Sequence, residues 1–151
     1  MTGTPCPDFT LSGTAGADFK LSSSRKPLVI YFYPKDNTPG CTIEAHNFQR
    51  DLPKYEQANA VIVGVSVDST DSHKGFCAKQ GLTFKLLSDT DKKVVDEYGS
   101  SREMMGMKIA ARNTFLINPE GKIVKVWTGV DPSHHSEEVL AALHELQGNK
   151  P

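Results

Sequence analysis

Three cysteines, Cys6, Cys41 and Cys77, are the residues of this chain best suited to covalent chemistry. Cys41 stands in a setting that would activate it. A continuously apolar run, Leu28 to Tyr33, leads into a proline- and glycine-bearing loop, Pro34 to Gly40; Cys41, Ala45, Phe48, Leu52 and Tyr55 then recur at helical spacing. The loop therefore puts Cys41 in the first turn of a helix. There, free backbone N–H groups and the positive end of the helix dipole favour a thiolate, the nucleophilic form of cysteine. Gly40 allows close approach of the backbone to a small ligand, and its N–H can hold a developing oxyanion. Thr38, three residues before Cys41, offers a hydroxyl able to accept from and donate to a ligand at the sulfur. On position alone, a buried structural cysteine in an amphipathic helix is an equally good reading.

The other candidates carry less. Cys6 lies between Pro5 and Pro7 in an extended segment, with nothing to activate it, and is read as non-catalytic. His46, His73, His134, His135 and His144 lack the paired spacing of a metal centre, and Cys41 with His46 cannot complete a zinc shell, so no metal is expected. Gly13 to Gly16 is not followed by the Gly-Lys-Ser/Thr of a phosphate loop, and no nucleotide or other cofactor is expected. Met104, Met105 and Met107 fall in a stretch, Ser100 to Ala111, without clear period; they are read as packing, with a wall near the site or a partner surface as alternatives. Glu44 is either a partner that orients a cation or a favourable charge in the first helical turn.

The elements that must position Cys41 follow from the pattern of apolar residues. At 151 residues, 38% apolar and 23% charged, the chain suits one globular domain, about Thr4 to Gln147. Its formal charge of −1 offers no basic excess for nucleic acid or an anionic membrane. The N-terminus does not read as a secretory signal, the apolar runs are too short to span a bilayer, and an odd cysteine count does not suit a secreted disulfide scaffold. A cytoplasmic location is expected.

Phe9 to Leu11 and Phe19 to Leu21 form a predicted hairpin across residues 12–16, and Leu28 to Tyr33 and Ala60 to Ser66 are predicted buried strands. Pro53 is expected to kink the first helix or end its first part. Residues 68–72 cap a helix near His73 to Gln80 that stops at Gly81; a strand near Lys85 to Leu87 precedes a helix near Asp91 to Tyr98. Thr114 to Ile117 and Lys122 to Trp127 form a hairpin through Asn118-Pro119-Glu120-Gly121. A last helix, capped by Ser133 or Ser136, closes the chain. The order predicts an α/β sandwich, a thioredoxin-like fold in which a central mixed sheet is flanked by helices and extended by an N-terminal β-hairpin.

Pro34-x-x-x-Thr38-x-x-Cys41 resembles the active-site signature of peroxiredoxins. The surrounding Tyr-Pro-Lys-Asp-x-Thr-Pro-Gly-Cys-Thr-x-Glu, residues 33–44, is similar to the bacterioferritin-comigratory (Q-type) subfamily. The likeness extends to Pro7–Leu11, Gly64–Asp68 and Arg112–Ile117 and covers nearly the whole chain. It implies a thiol peroxidase that reduces hydrogen peroxide and organic hydroperoxides. By the same resemblance, Cys41 is the peroxidatic nucleophile, Thr38 hydrogen-bonds the peroxide and Pro34 shields the thiolate. Arg112 stabilises the thiolate and orients the substrate through its forked donors. On its own residues, Arg112 reads only as a surface arginine before a strand.

Attack on a peroxide leaves a sulfenic acid that a second thiol must resolve. Many subfamily members carry that cysteine five positions after the first, where this chain has His46. The resemblance then points to Cys77, on the equivalent of a later helix that carries it in some members; the alternative is a core cysteine beside Phe76. Two cysteines on separate folded helices would rarely come within the roughly 7 Å between Cα atoms that a disulfide requires, so local unwinding is expected. Thioredoxin or a similar dithiol is the implied reductant, and a monomer, with weak dimerisation as the alternative, the implied assembly. A thiol–disulfide oxidoreductase, disfavoured by the missing Cys-x-x-Cys, and a redox sensor that does not turn over remain the other classes.

Overall fold

The computed structural model describes residues 10–13, 18–20, 26–104 and 106–148. Along the chain run β1 (Thr10–Gly13), β2 (Asp18–Lys20), β3 (Leu28–Phe32), α1 (Pro39–Gln57), β4 (Val61–Ser66), α2 (Thr70–Gln80), β5 (Lys85–Ser88) and α3 (Lys93–Glu97). They are followed by β6 (Ser101–Met104), β7 (Met107–Ala110), β8 (Thr114–Ile117), β9 (Ile123–Trp127) and α4 (His135–Gly148). The main sheet has the order β2-β1-β5-β4-β3-β8-β9. Its centre, β5-β4-β3, is parallel; β8 and β9 extend it antiparallel on one side and the β1–β2 hairpin on the other. This is the thioredoxin-like arrangement with an N-terminal hairpin that the order of elements predicts.

The continuous apolar run of β3 reflects burial on both faces. Val29, Tyr31 and Tyr33 point into one core cluster with Cys41, Ala45, Phe48 and Tyr55 of α1, Phe76 of α2 and Val139 and Leu143 of α4. Leu28, Ile30 and Phe32 point into the other, with Val94 and Val95 of α3, Tyr98, Ala110 and Phe115. Ring contacts tie the first cluster together: Tyr31 stacks on Phe48 at 4.7 Å between centroids and meets Phe84 edge-on at 6.0 Å.

Local chemistry explains most helix boundaries. Thr38 occupies the extended N-cap position of α1 and Pro39 its first helical position, where a missing N–H costs nothing. The helix runs on through Pro53 to Gln57, so this proline neither ends α1 nor divides it. Its C-terminal half is held from outside: the Tyr55 hydroxyl donates to the Ser136 carbonyl at 2.8 Å, and Ser136 Oγ donates to Asp51 at 2.9 Å. Ser136 is thus inside α4, committed to α1, and not its cap. In α2, Ser69 accepts from the Ser72 N–H and Gly81 ends the helix at φ 67°, so the helix starts at Thr70, three residues earlier than expected.

The largest departure is residues 101–110. Where no period is visible, the chain forms a separate two-stranded hairpin, β6–β7, which pairs with itself and not with the main sheet. Met107 on that hairpin is 61% exposed, which overturns its reading as packing; Met105 and Cys6 lie outside the described residues. Among the described residues, no helix is long and apolar enough to cross a membrane.

Gly64, in the middle of β4, shows how tightly the first core is closed. A Cβ there would lie 2.8 Å from both Leu86 Cδ2 and the Tyr31 ring and 2.9 Å from the Tyr31 hydroxyl. Gly64→Ala should destabilise the protein by about 1–3 kcal/mol through overpacking. Equilibrium urea unfolding measures this, and an unchanged midpoint would refute the tight packing.

Candidate active site

Antiparallel pairing assembles the site. Because β8 pairs with β3 in the register Tyr31↔Thr114, the residues just before β8 come to the carboxyl end of β3, where the loop to α1 begins. The Phe32 N–H donates to the Asn113 carbonyl at 2.7 Å, and Arg112 is fixed by the bond from the Val130 N–H to its own carbonyl at 3.1 Å. Arg112, 71 residues from Cys41 in sequence, is thereby delivered to the N-terminus of α1.

Its guanidinium forks between two side chains of α1. Nη1 donates to Glu44 Oε1 at 2.8 Å, and Nη2 donates to Cys41 Sγ at 3.4 Å. Cys41 and Glu44 are one helical turn apart, so both face the same cation. The guanidinium also lies against the backbone of Gly40: a Cβ there would sit 3.0 Å from Nη2 and 3.8 Å from Pro132 Cγ. A side chain at position 40 would crowd this approach. Pro132, which no sequence pattern singles out, completes the wall, and Asn47 pins its segment by donating to the Pro132 and Ser133 carbonyls at 3.1 and 3.0 Å.

Thr38 is half-buried at the mouth. Its hydroxyl donates to the Lys35 carbonyl at 2.8 Å, and its own carbonyl accepts from the Thr42 N–H at 2.9 Å and the Thr42 hydroxyl at 2.8 Å. With the proton directed at the Lys35 carbonyl, the lone pairs of Thr38 Oγ stay open to a donor. Pro34 is half-buried in the same loop.

Electrostatics follow from burial. Cys41 is 2% exposed and Glu44 1% exposed. Burial drives the Glu44 carboxyl up to about 7 from an ordinary 4.5, against the opposing charge and hydrogen bond of Arg112. Its Oε2 is buried without a hydrogen-bond partner. Burial alone would weaken the Arg112 cation, but the fields of Cys41 and Glu44 outweigh it and hold the guanidinium above its ordinary value.

Cys77 sits on α2, half-buried against the same core cluster as Cys41, and neither is bonded in a disulfide. His46, in the place of the nearer resolving cysteine, is exposed and bonded through Nε2 to Gln80 Oε1 at 2.6 Å. Away from the sulfur, Asp36, Asp68 and His73 form a cluster whose oxygen and nitrogen atoms lie within 4.8 Å of one another. The His73 ring is already engaged there at both nitrogens, with Asp36 at 2.7 Å and the Leu87 carbonyl at 2.9 Å.

Because folding raises the affinity of Glu44 for its proton, its contribution to stability is complete below about pH 4.5 and is lost as the pH rises through about 7. The stability of reduced wild type relative to Glu44→Gln should therefore fall by on the order of 3 kcal/mol between pH 4.5 and 8. Urea unfolding across that range measures it, and a difference independent of pH would contradict the buried, proton-holding Glu44.

Comparison with known proteins identifies the family. The AhpC/TSA family model matches residues 2–126. Peroxiredoxin Bcp of Xanthomonas campestris pv. campestris is 48% identical over 141 residues, covering 90% of this chain and 88% of the relative. A Cys→Ser mutant of Xylella fastidiosa PrxQ superposes with a TM-score of 0.92 at 39% identity, covering 97% of each chain. Xanthomonas campestris bacterioferritin comigratory protein, studied for its alkyl peroxide reduction activity, superposes at 0.85 with 41% identity over 91% of each. The chain belongs to the AhpC/TSA family, among its Bcp/Q peroxiredoxins, and is a thiol-dependent peroxidase.

Proposed function

We propose that Cys41 is the nucleophile of this peroxidase, acting on hydrogen peroxide and organic hydroperoxides. The observation that carries the assignment is the Arg112 fork, which holds a cation 3.4 Å from Cys41 Sγ while Glu44 fixes its other arm. The Cys41 thiolate attacks one oxygen of ROOH along the O–O axis. An S–O bond forms as the O–O bond breaks, the sulfur becoming Cys41–S–OH and the leaving RO⁻ taking up a proton to become water or an alcohol. Thr38 Oγ accepts from the hydroperoxide O–H, Arg112 donates to the oxygens as charge develops, and the first-turn N–H groups at Gly40 and Cys41 add to that field. Pro34 shields the sulfur from bulk water.

Cys77 is the resolving thiol in this reading. Its thiolate attacks the sulfenic sulfur, hydroxide leaves as water, and a Cys41–Cys77 disulfide remains for a thioredoxin-like dithiol to reduce. The position of Cys77 on the same core as Cys41, with His46 in the nearer place, supports the assignment. The two cysteines lie on different folded helices, and in this reading part of α1 or α2 unwinds before the bond closes. The working unit is a single domain, residues 4–147, acting as a monomer in the cytoplasm in antioxidant defence. The chloroplastic Sedum lineare peroxiredoxin Q, 39% identical, makes a plastid the alternative location.

Peroxide consumption coupled to NADPH through thioredoxin and its reductase tests the scheme. Wild type should turn over, Cys41→Ser should be inactive, and Cys77→Ser should react once and stall. Full turnover by Cys41→Ser would reject the nucleophile. A wild type that oxidises but is not recycled by any dithiol would favour a sensor. Arg112→Lys keeps the charge but loses the fork, and should slow peroxide reduction by about 10² or more, the scale of losing one positioned donor. A rate within a few-fold of wild type, measured by stopped-flow, would remove Arg112 from the chemistry.

A further inference from the structure

We propose that the buried Asp36–His73 pair is a latch that holds α2 against the peroxide-binding loop, and that its release governs how fast Cys77 can reach Cys41. The kinetic half rests on the reading of Cys77 as the resolving thiol. Asp36 stands two residues before Thr38, in the loop that leads to Cys41, and His73 is in the first turns of α2, one helical turn before Cys77. Both are buried, Asp36 4% and His73 0% exposed.

One carboxylate gathers the contacts. Asp36 Oδ2 receives Ser72 Oγ at 2.8 Å and faces His73 Nδ1 at 2.7 Å, both from α2, while Oδ1 accepts from the Tyr33 hydroxyl at 2.6 Å. His73 Nε2 donates to the Leu87 carbonyl of β5 at 2.9 Å, and the Asp36 N–H donates to Asp68 Oδ2 at 2.8 Å. The imidazole is therefore clamped between the active-site loop and the sheet. Burial would push the Asp36 carboxyl up, but the hydrogen bonds of His73 and Tyr33 and the field of His73 outweigh it and hold it below its ordinary value.

Fewer residues are buried on α2 than on α1. His73 and Phe76 are its fully buried side chains, against six such residues on α1. Near its far end the links to α1 are exposed polar pairs, His46 with Gln80 and Gln49 with Thr83, where water competes. Opening of α2 back to its first turns parts the helix bearing His73 from the loop bearing Asp36. The step requires breaking hydrogen bonds to a buried carboxylate, which are the strong ones.

The test separates the latch from the resolving role. Hydrogen exchange on reduced wild type, His73→Ala and Ser72→Ala reports opening of residues 74–80 directly; single-turnover oxidation with one equivalent of hydrogen peroxide reports the rate of Cys41–Cys77 disulfide formation. Loss of one charge-assisted bond in Ser72→Ala should raise both opening and disulfide formation about tenfold, and His73→Ala more, without a matching rise in exchange in β3 and β4. Ser72→Ala keeps the test informative if His73→Ala fails to fold. Exchange of residues 74–80 unchanged in Ser72→Ala, or raised equally throughout the protein, would overturn the latch. Faster opening without faster disulfide formation would overturn its kinetic role. Absence of a Cys41–Cys77 peptide in oxidised wild type would instead overturn the resolving role of Cys77.

Discussion

The site depends on one cation held in place from both sides. Arg112 reaches the N-terminus of α1 with its charge between the Cys41 sulfur and the Glu44 carboxylate, in surroundings from which most water is excluded. A lone buried guanidinium would be costly, and so would a lone buried carboxylate. Each makes the other tolerable. The fork then fixes where the second arm points, which is at the sulfur. Buried ion pairs contribute little net stability, and their value here is geometric: a lysine could supply the charge but not two donors at a set angle.

The rest of the fold serves that placement. Parallel pairing of β3 with β4, and antiparallel pairing of β3 with β8, bring the start of α1, the segment after β4 and the segment before β8 to one end of the sheet. That end carries Cys41, Asp68 and Arg112 respectively. Glycine at 40 lets the guanidinium touch backbone, and proline at 39 starts the helix where its missing N–H is harmless. Glu44 keeps an unpartnered oxygen and binds its proton up to about pH 7. The acid that orients Arg112 is thus itself close to its titration point at neutrality.

The two helices that bear Cys41 and Cys77 are attached by different physics. The α1 helix is fastened by aromatic packing and by its bonds to α4, interactions that strengthen as water is excluded. The α2 helix is fastened by Phe76, by the partly buried Cys77 and by a polar cluster. Apolar contact is non-directional, whereas hydrogen bonds to a carboxylate depend on angle as well as distance.

The sequence by itself determined much of this protein. The run Leu28 to Tyr33, rich in β-branched and aromatic residues, suited a strand covered on both faces, the Pro-Gly loop put Cys41 in a helix start, and the turn at residues 118–121 set the β8–β9 hairpin. These are local matters, settled by periodicity and by the φ angles that proline and glycine permit. Thr38 was visible as a hydroxyl near the sulfur, but the bond from that hydroxyl to the Lys35 carbonyl was not. The β6–β7 hairpin was invisible because it buries too little for an alternating pattern to be required, as the exposed Met107 shows. Arg112 was chemically anonymous without its family likeness. Only the tertiary structure decided that it meets Cys41 and that Asp36 meets His73, since strand register and the approach of distant segments are set by packing across the whole core and leave no trace in local spacing.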